Sequence, residues 1–286
     1  MTLNKAEPPF SSAQLATCIG QVFILAYQES TELLEKAIAN EGLPVEVLRQ
    51  QHQPDYRDFS PSYLCLLNHQ SAWKRALQTQ QLTLIVEADF VPVVGFGALP
   101  LPFKATQPDM GITWLYTCAP QIYSVSAEGY AEGYSTSMVA YIVAPRGAEA
   151  LLALAETTRQ QVGETRYSAW DSGVDKFLRS HGLKNYIPFR NYGEHGGKPN
   201  PEHRQHGLSA AHRADVLCDR LLLRPAYATD ATYPQLQLRW VRLQARCKGI
   251  ARLMSGKFLR VKVLRQSSVP LKLLQFAIRR QLTSTL

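Results

Sequence analysis

Cysteine is scarce in this 286-residue chain, and no two cysteines form a metal-binding or disulfide motif. The number is odd and the positions are scattered, without a CxxC pair: Cys18, Cys65, Cys118, Cys218 and Cys247. This excludes a disulfide framework and a cysteine zinc site, and it is typical of buried thiols in a reducing compartment. Because the sequence also has no run of 18 apolar residues and no signal-peptide core, we expect a protein of the cytoplasm or of the inner membrane face.

Acidic residues are missing from the C-terminal end of the chain. Beyond Asp230 there is no Asp or Glu, whereas Lys and Arg number twelve, and the whole chain has a net charge of +8. The preceding body is therefore slightly acidic, and the basic character belongs to a tail. Since no RRM, KH or zinc-finger pattern accompanies this charge, we expect no nucleic-acid partner.

Short apolar runs alternate with amphipathic stretches through the body, which predicts an α/β fold with helices against a sheet. The expected helices are a segment from Ser30 with Leu33, Leu34, Ala37 and Ile38 on one face and a stop at Gly42, then 60–77 and 146–160. The expected strands are 21–27, 44–50, 82–90, 113–118, 121–126 and 136–145, with a loop at 92–111. We divide the chain into a leader, 1–20, a catalytic-type domain, 21–230, and a basic helical tail, 231–286.

Two acids, Glu87 and Asp89, stand at the end of the predicted strand LTLIV. Ligands of open α/β sheets gather at the carboxyl ends of strands. Paired carboxylates there can hold Mg²⁺ or Mn²⁺ against a diphosphate, because these ions prefer oxygen ligands. The alternative is a pair of solvated acids that merely closes a strand.

Three segments together resemble glycosyltransferase family 25. They are YLCLLNHQSAWKRAL (63–77), LIVEADFVP (84–92) and MVAYIVAPRGAEALL (138–152), and a weaker likeness continues through WDSGVDKFL (170–178). The resemblance implies a GT-A-like nucleotide-sugar-binding domain with a mixed sheet flanked by helices. It also implies a divalent metal and a UDP-sugar or similar donor. The implied activity is inverting sugar transfer to lipopolysaccharide or another cell-surface glycan, with Glu87 and Asp89 as metal ligands.

The resemblance also assigns roles to residues outside the acidic motif. Asn68 and His69 are expected beside the donor, although His69 could equally be a core histidine under Trp73, four residues on. An acid of the WDSGVDKFL segment is expected to be the base that deprotonates the acceptor hydroxyl. We interpret Asp175 as this base and Asp171 as a helix cap, with the reverse assignment left open.

A Gly-, His- and Pro-rich stretch, 192–212, follows the body and suits either a metal ligand or a mobile lid. GT-A enzymes often take a late histidine as an additional metal ligand. His195, next to two glycines that let the backbone approach a diphosphate closely, is the candidate. Lys198 and Arg204 are candidates for neutralising the departing nucleotide diphosphate.

The tail carries an apolar stripe with helical spacing of three and four residues: Leu236, Trp240, Leu243, Cys247, Ile250 and Met254. The stripe could pack on the body and leave the arginines solvated. Alternatively, a basic amphipathic helix could lie on an anionic membrane surface and hold the protein near a lipid-linked acceptor. Ala88, between the two acids of the motif, favours a further possibility, a non-catalytic relative that binds a glycan or a partner enzyme.

Overall fold

Ten strands are present in the part of the chain that the computed structural model describes, residues 13–51, 53–198, 205–206, 212–229 and 231–282. They are β1 Gln21–Ala26, β2 Val45–Arg49, β3 Thr83–Glu87, β4 Phe90–Pro92, β5 Met110–Trp114, β6 Gln121–Val125, β7 Ala131–Tyr134, β8 Ala140–Val143, β9 Lys184–Ile187 and β10 Gly193–His195. Eight form a mixed sheet in the order β2-β1-β3-β8-β5-β9-β7-β6, and β4 pairs with β10 in a small antiparallel ribbon.

Nine helices occur in the same residues: α1 Leu15–Cys18, α2 Glu32–Asn40, α3 Pro61–Thr79, α4 Pro145–Val162, α5 Val174–Ser180, α6 Ala226–Thr229, α7 Pro234–Met254, α8 Val261–Gln266 and α9 Pro270–Leu282. One core joins α3, α4 and α5 to the sheet, and a second joins α1 and α2 to residues such as Ile24 and Leu84. Side chains alternate along each strand, so the sheet lies between two layers. The predicted α/β class, with a mixed sheet flanked by helices, is confirmed.

Helix α3 illustrates how the sequence sets the architecture. Ser60 caps it by accepting a hydrogen bond from the backbone N–H of Tyr63 (3.2 Å), and Pro61 suits the first helical turn. Its buried face follows the three- and four-residue spacing of a helix: Tyr63, Leu66, His69, Ala72, Trp73 and Ala76. The helix therefore delivers His69 into the interior, beside the end of β3.

Some predicted details are wrong. Leu33 is 70% exposed, because α2 buries only Leu34, Ala37 and Ile38 and the side chain at 33 points about 100° away. The predicted strand at 113–118 ends earlier, at Trp114. Strand β7 was not predicted, because its sequence AEGY lacks an apolar run and is held by pairing with β6 and β9.

The tail is helical, as predicted, and it packs into the body. Phe258, Leu259, Leu273, Phe276 and Ala277 belong to the same core as α3 and α4. The helix α7, however, turns Ala245 and Gly249 inward, while Leu236, Trp240 and Leu243 stay more than half exposed. The alternative in which the apolar stripe packs on the body is therefore wrong for these three residues, because small side chains let α7 approach closely.

Three arginines of the tail contact the body instead of pointing into solvent. Arg242 pairs with the buried carboxylate of Glu194, Arg280 pairs with Asp215 (2.8 Å), and Arg252 donates to the carbonyl oxygen of Ala119 (3.0 Å). The boundary between body and tail at residue 230 stays a prediction, but these bonds tie the two segments together. In the described residues, no helix is long and apolar enough to cross a bilayer.

Candidate functional site

The acidic motif lies where β3 ends, beside the end of β1. The backbone N–H of Ala88 donates to the carbonyl oxygen of Leu25 (2.9 Å), and the side-chain amide of Asn68 donates to the carbonyl oxygen of Ala26 (3.3 Å). Since β1 and β3 are parallel neighbours, Asn68 and Glu87 meet at the carboxyl edge of the sheet, where α/β proteins bind ligands.

A chain of buried hydrogen bonds orients Glu87. Trp73 Nε1–H, which can only donate, donates to Tyr141 Oη (2.7 Å). Tyr141 Oη also lies 2.9 Å from His69 Nδ1, and this nitrogen is its acceptor among the described residues. When the His69 ring carries one proton, that proton is then on Nε2, 3.2 Å from Glu87 Oε1. Burial raises the pKa of Tyr141 well above its usual range, which keeps the hydroxyl proton in place.

The structure supports the alternative in which His69 is a core histidine, whereas its place beside a donor stays a prediction. The ring is fully buried and stacks near Trp73, Tyr141 and Trp170, with centroids 5.2–5.9 Å away. It is a core residue, yet its Nε2–H reaches the carboxylate at the sheet edge. We conclude that His69 fixes the position of Glu87.

The ribbon of β4 and β10 brings the other two predicted metal ligands together. His195 pairs with Phe90 in this ribbon, and its Nε2 lies 2.9 Å from Asp89 Oδ2. Burial lowers the pKa of His195, but the charge and hydrogen bond of Asp89, with a contribution from Glu87, outweigh it and raise the pKa to about 9. Of the three predicted metal ligands, Asp89 and His195 therefore contact each other directly. The third, Glu87, contacts His69 instead.

Asp89 carries an unsatisfied acceptor. Its Oδ1 is buried and has no hydrogen-bond partner in the described structure. A buried carboxylate oxygen without a partner costs free energy unless a ligand completes it. Carboxylate oxygen with imidazole nitrogen is a donor set that suits Mn²⁺, so the residues present fit a divalent metal at this point.

Two glycines allow the backbone to approach this pair. A Cβ atom on Gly197 would lie 2.3 Å from Asp89 Oδ2, and one on Gly196 would lie 2.6 Å from a methyl group of Val91. Neither position accommodates a side chain without displacement. The Gly-Gly pair after His195 is thus explained by a close approach to Asp89 and Val91. The approach to a diphosphate, which the sequence suggested, stays a prediction.

A second possible group of ligands is formed by Cys65, His69 and Glu87, whose donor atoms lie within 4.8 Å of one another. A metal on His69 Nε2 would have to displace the proton that donates to Glu87. The proton would then move to Nδ1 and leave the Tyr141 hydroxyl without its acceptor. His195 Nε2 also faces a carboxylate, but a proton displaced from it can move to Nδ1, which lies 3.4 Å from the carbonyl oxygen of His212. This difference favours Asp89 and His195 over the group at Cys65.

Cations lie on the far side of His195. Arg213 donates to the carbonyl oxygens of His195 (2.9 Å) and Gly197 (2.8 Å) and lies over the ring of Tyr227. It stiffens the glycine segment, and the sequence gave no signal for it. Lys198 is exposed and lines a cavity of about 650 Å³ that Arg213 also lines. Arg204, the other predicted diphosphate contact, lies outside the described residues.

Asp175 is not at this edge. Its buried carboxylate accepts hydrogen bonds from Tyr123 Oη (2.9 Å) and Asn185 Nδ2 (2.9 Å). Asn185 belongs to β9, which is three strands from β3 in the sheet, a lateral separation of roughly 14 Å. Burial raises the pKa of Asp175 despite these bonds and Arg179. Its assignment as the acceptor base stays a prediction that the placement does not support.

The helix-cap interpretation of Asp171 is wrong. Asp171 lies inside a short 3-10 turn, Trp170–Gly173, and its carboxylate accepts from the N–H of Ser172 (2.8 Å). Helix α5 begins later and has Gly173 at its N-cap position, with no side-chain cap. The 3-10 turn displaces the start of the helix by about one turn, so the aspartate is too early to cap it.

No protein family profile and no curated protein matches the chain. Among solved structures, it is similar to a glycosyltransferase involved in glycosylation of the major capsid of PBCV-1, with 9% identity, a TM-score of 0.39 and coverage of 58% of this chain and 80% of the other. It is also similar to a Drosophila galactosyltransferase 7 mutant in complex with manganese, UDP-Gal and xylobiose. There the identity is 12%, the TM-score 0.33 and the coverage 65% and 74%, respectively. These scores are too low to carry an argument about activity.

Proposed function

We propose that the protein transfers a sugar from a nucleotide-sugar donor, such as a UDP-sugar, to a cell-surface glycan of the lipopolysaccharide kind. The observation that carries the proposal is Asp89, whose buried Oδ1 lacks a partner while its Oδ2 contacts His195. This open carboxylate lies at the carboxyl edge of the sheet, next to Glu87 and to a cationic cavity. Such an edge suits a diphosphate held between acids that bind metal and cations that bind phosphate.

Each residue has a defined role in the proposed transfer. The acceptor hydroxyl attacks the anomeric carbon, the bond from that carbon to the diphosphate breaks, and the diphosphate leaves with the electron pair. Asp89 and His195, with Glu87 nearby, would hold Mn²⁺ or Mg²⁺, which when bound neutralises charge on the leaving group. Lys198 and Arg213 add positive charge on the same side.

Two further parts of the proposal come from the resemblance. The first is an inverting outcome, with the hydroxyl proton passing to a carboxylate. The resemblance gives Asp175 this role, but its position three strands from the acidic edge does not support it. The second is that Asn68 lies beside the donor, on the β1 side of the acidic motif, where its amide already contacts the end of β1.

Hydrolysis and transfer with a panel of nucleotide sugars test the proposal. The Asp89→Ala protein should retain its fold and lose Mn²⁺-stimulated turnover by about 10³-fold or more. Glu128→Ala, which removes an exposed carboxylate between β6 and β7, is the matched control and should be unaffected. Absence of donor turnover by the wild-type protein, with retained glycan binding, would instead favour the non-catalytic relative.

We also propose that the tail holds the protein on the inner face of an anionic membrane. Besides the exposed stripe of α7, helix α9 exposes Leu271, Leu274, Ile278 and Leu282, at helical spacing, on a tail without acids. Such a surface suits the membrane interface. Removal of the tail is not a clean test, because Glu194 and Asp215 would lose their buried partners.

Point variants test the membrane proposal without disturbing the core. The full chain should co-sediment with phosphatidylglycerol vesicles at low salt and dissociate as salt screens the charge. Replacing both Leu274 and Ile278 with Ser should weaken co-sedimentation, whereas Leu33→Ser, an exposed leucine of α2, should not. Equal binding by all three proteins would contradict the proposal.

A further inference from the structure

The cavity beside the acidic edge is strongly cationic. It lies between the segment 117–120, which follows β5, and helix α7 of the tail. Four of its lining side chains are basic: Lys198, Arg213, Lys248 and Arg252. Asp215 is its acid, and that carboxylate already receives hydrogen bonds from Arg280 and Gln281. The net charge of the lining is therefore positive, and the cavity suits an anion.

Part of this positive charge has no protein partner. Lys248 is exposed and forms no ion pair in the described structure. One terminal nitrogen of Arg252 donates a hydrogen bond to the carbonyl oxygen of Ala119, but its Nε is buried without a hydrogen-bond partner. Other buried side-chain atoms of the described residues also lack a partner, but Arg252 lines the cavity, where a bound anion would complete its hydrogen bonding.

An apolar groove continues from the cavity. A second hollow of about 450 Å³ shares Ala231 and Gln237 with the first and is otherwise lined mainly by Tyr233, Leu236 and Trp240. These three side chains are 71%, 66% and 55% exposed. Large apolar side chains left open next to a cationic pocket form an amphipathic surface.

The cavity adjoins the acidic edge on the side opposite to the end of β1. Arg213 joins it to the edge by donating to His195 and Gly197. The segment 117–120 follows β5, whereas Asn68 and the end of β1 lie on the opposite side of β3 in the sheet order. The acidic edge thus lies between two regions, and the donor is proposed for the β1 region.

We infer that the cavity is the acceptor site and that the acceptor is an amphipathic anion, with a phosphate-bearing headgroup in the cavity and an apolar chain along the groove. Its role as acceptor rests on the proposed function; the ligand chemistry rests on the cavity alone. Lys248 and Arg252 would bind the phosphate, and Tyr233, Leu236 and Trp240 would contact the chain.

Calorimetric titration of the full chain with octyl phosphate below its micelle concentration tests the inference. The experiment uses neither metal nor donor, so a failure of sugar transfer does not affect it. Octyl phosphate should bind at least about tenfold more tightly than inorganic phosphate, which lacks the chain, and than octanol, which lacks the charge. UDP should not compete, because its diphosphate is proposed for Asp89 and the nearby cations Lys198 and Arg213, whereas the phosphate of octyl phosphate is proposed for Lys248 and Arg252 of helix α7.

Paired variants locate the binding. Lys248→Gln should weaken octyl phosphate binding about fivefold, and Trp240→Ser should weaken it about tenfold. Lys262→Gln and Leu33→Ser, at exposed positions outside both hollows, should leave binding unchanged. The inference is overturned if octyl phosphate binds no better than its two fragments, if the controls weaken binding as much, or if UDP displaces it, which would make the cavity the donor site.

Discussion

Two carboxylates in this protein, the buried Asp215 and the partly exposed Asp89, have opposite surroundings. Asp215 accepts hydrogen bonds from Asn191 (2.9 Å), Arg280 (2.8 Å), Gln281 and its neighbour's N–H, Val216 (2.9 Å), so both oxygens are occupied. Asp89 contacts His195 through one oxygen and leaves the other, although buried, without a partner. Each of the two faces a cationic partner, Arg280 or His195.

The difference indicates that Asp215 stabilises the fold, whereas Asp89 can still bind a ligand. A satisfied buried ion pair is costly to break, because removing either partner leaves an unpaired charge. An unsatisfied oxygen lowers stability in the absence of ligand and becomes useful only when a metal or donor completes it. We therefore expect substitution at the Asp215 pair to lower the stability of the fold. Substitution at Asp89 should instead remove ligand binding and leave the fold intact.

The largest expected effect on stability is that of Arg280→Ala. Arg280 is fully buried and also donates to the carbonyl oxygens of Pro188 and Phe189. Its loss should lower the free energy of unfolding by about 3–5 kcal/mol, measured by urea denaturation. Arg265→Ala, at an exposed position of helix α8, should change it by less than about 0.5 kcal/mol. Similar losses in both variants would show that the Asp215 pair is not structural.

The contribution of Asp215 should also depend on pH. Burial raises the pKa of this carboxyl, but the charge and hydrogen bond of Arg280 and the bond from Gln281 outweigh burial and lower it below its usual value. A depressed pKa in the folded state stabilises the protein above the unfolded pKa and is lost as pH falls through the folded value. The stability difference between wild type and Asp215→Asn should thus be full at neutral pH and shrink below about pH 4. A difference that grows on acidification would contradict this.

A smaller effect is expected at Asp175, whose carboxylate links Tyr123 of β6 to Asn185 of β9. Asp175→Asn should cost about 1–3 kcal/mol of stability, because one buried partner is lost. From its position, turnover per folded molecule should stay near that of wild type. If turnover falls roughly 10²–10⁴-fold under conditions in which the variant is fully folded, Asp175 is instead the acceptor base.

The sequence predicted those parts of the molecule that depend on local pattern. The strand before Glu87, the helix that buries His69 and Trp73, and the Gly-Gly pair after His195 are all visible as apolar runs, caps or spacing. His195 was chosen from its glycines and its late position, and its contact with Asp89 followed from the pairing of β4 with β10.

Features that depend on distant contacts were not predictable in the same way. Arg213 is an ordinary cation in the sequence, and only the chain path places it against His195. The sequence did not show which tail arginines form buried ion pairs. The structure pairs Arg242 with Glu194 and Arg280 with Asp215. The apolar stripe of α7 was correct as a helical pattern, but periodicity alone does not say which face of a helix meets the body.

Our proposed function depends most on the open oxygen of Asp89, which would bind a divalent metal that in turn binds the donor's diphosphate. Its most direct test is the melting temperature of wild type and Asp89→Asn, each with and without Mn²⁺ and UDP together. Asp219→Asn, at an exposed position, serves as the control. We expect a rise of at least about 2 °C in wild type and in the control, since a ligand at 100 times its Kd stabilises the folded state by about 2.7 kcal/mol. No rise is expected in Asp89→Asn. An equal rise in all three proteins would contradict the assignment of Asp89.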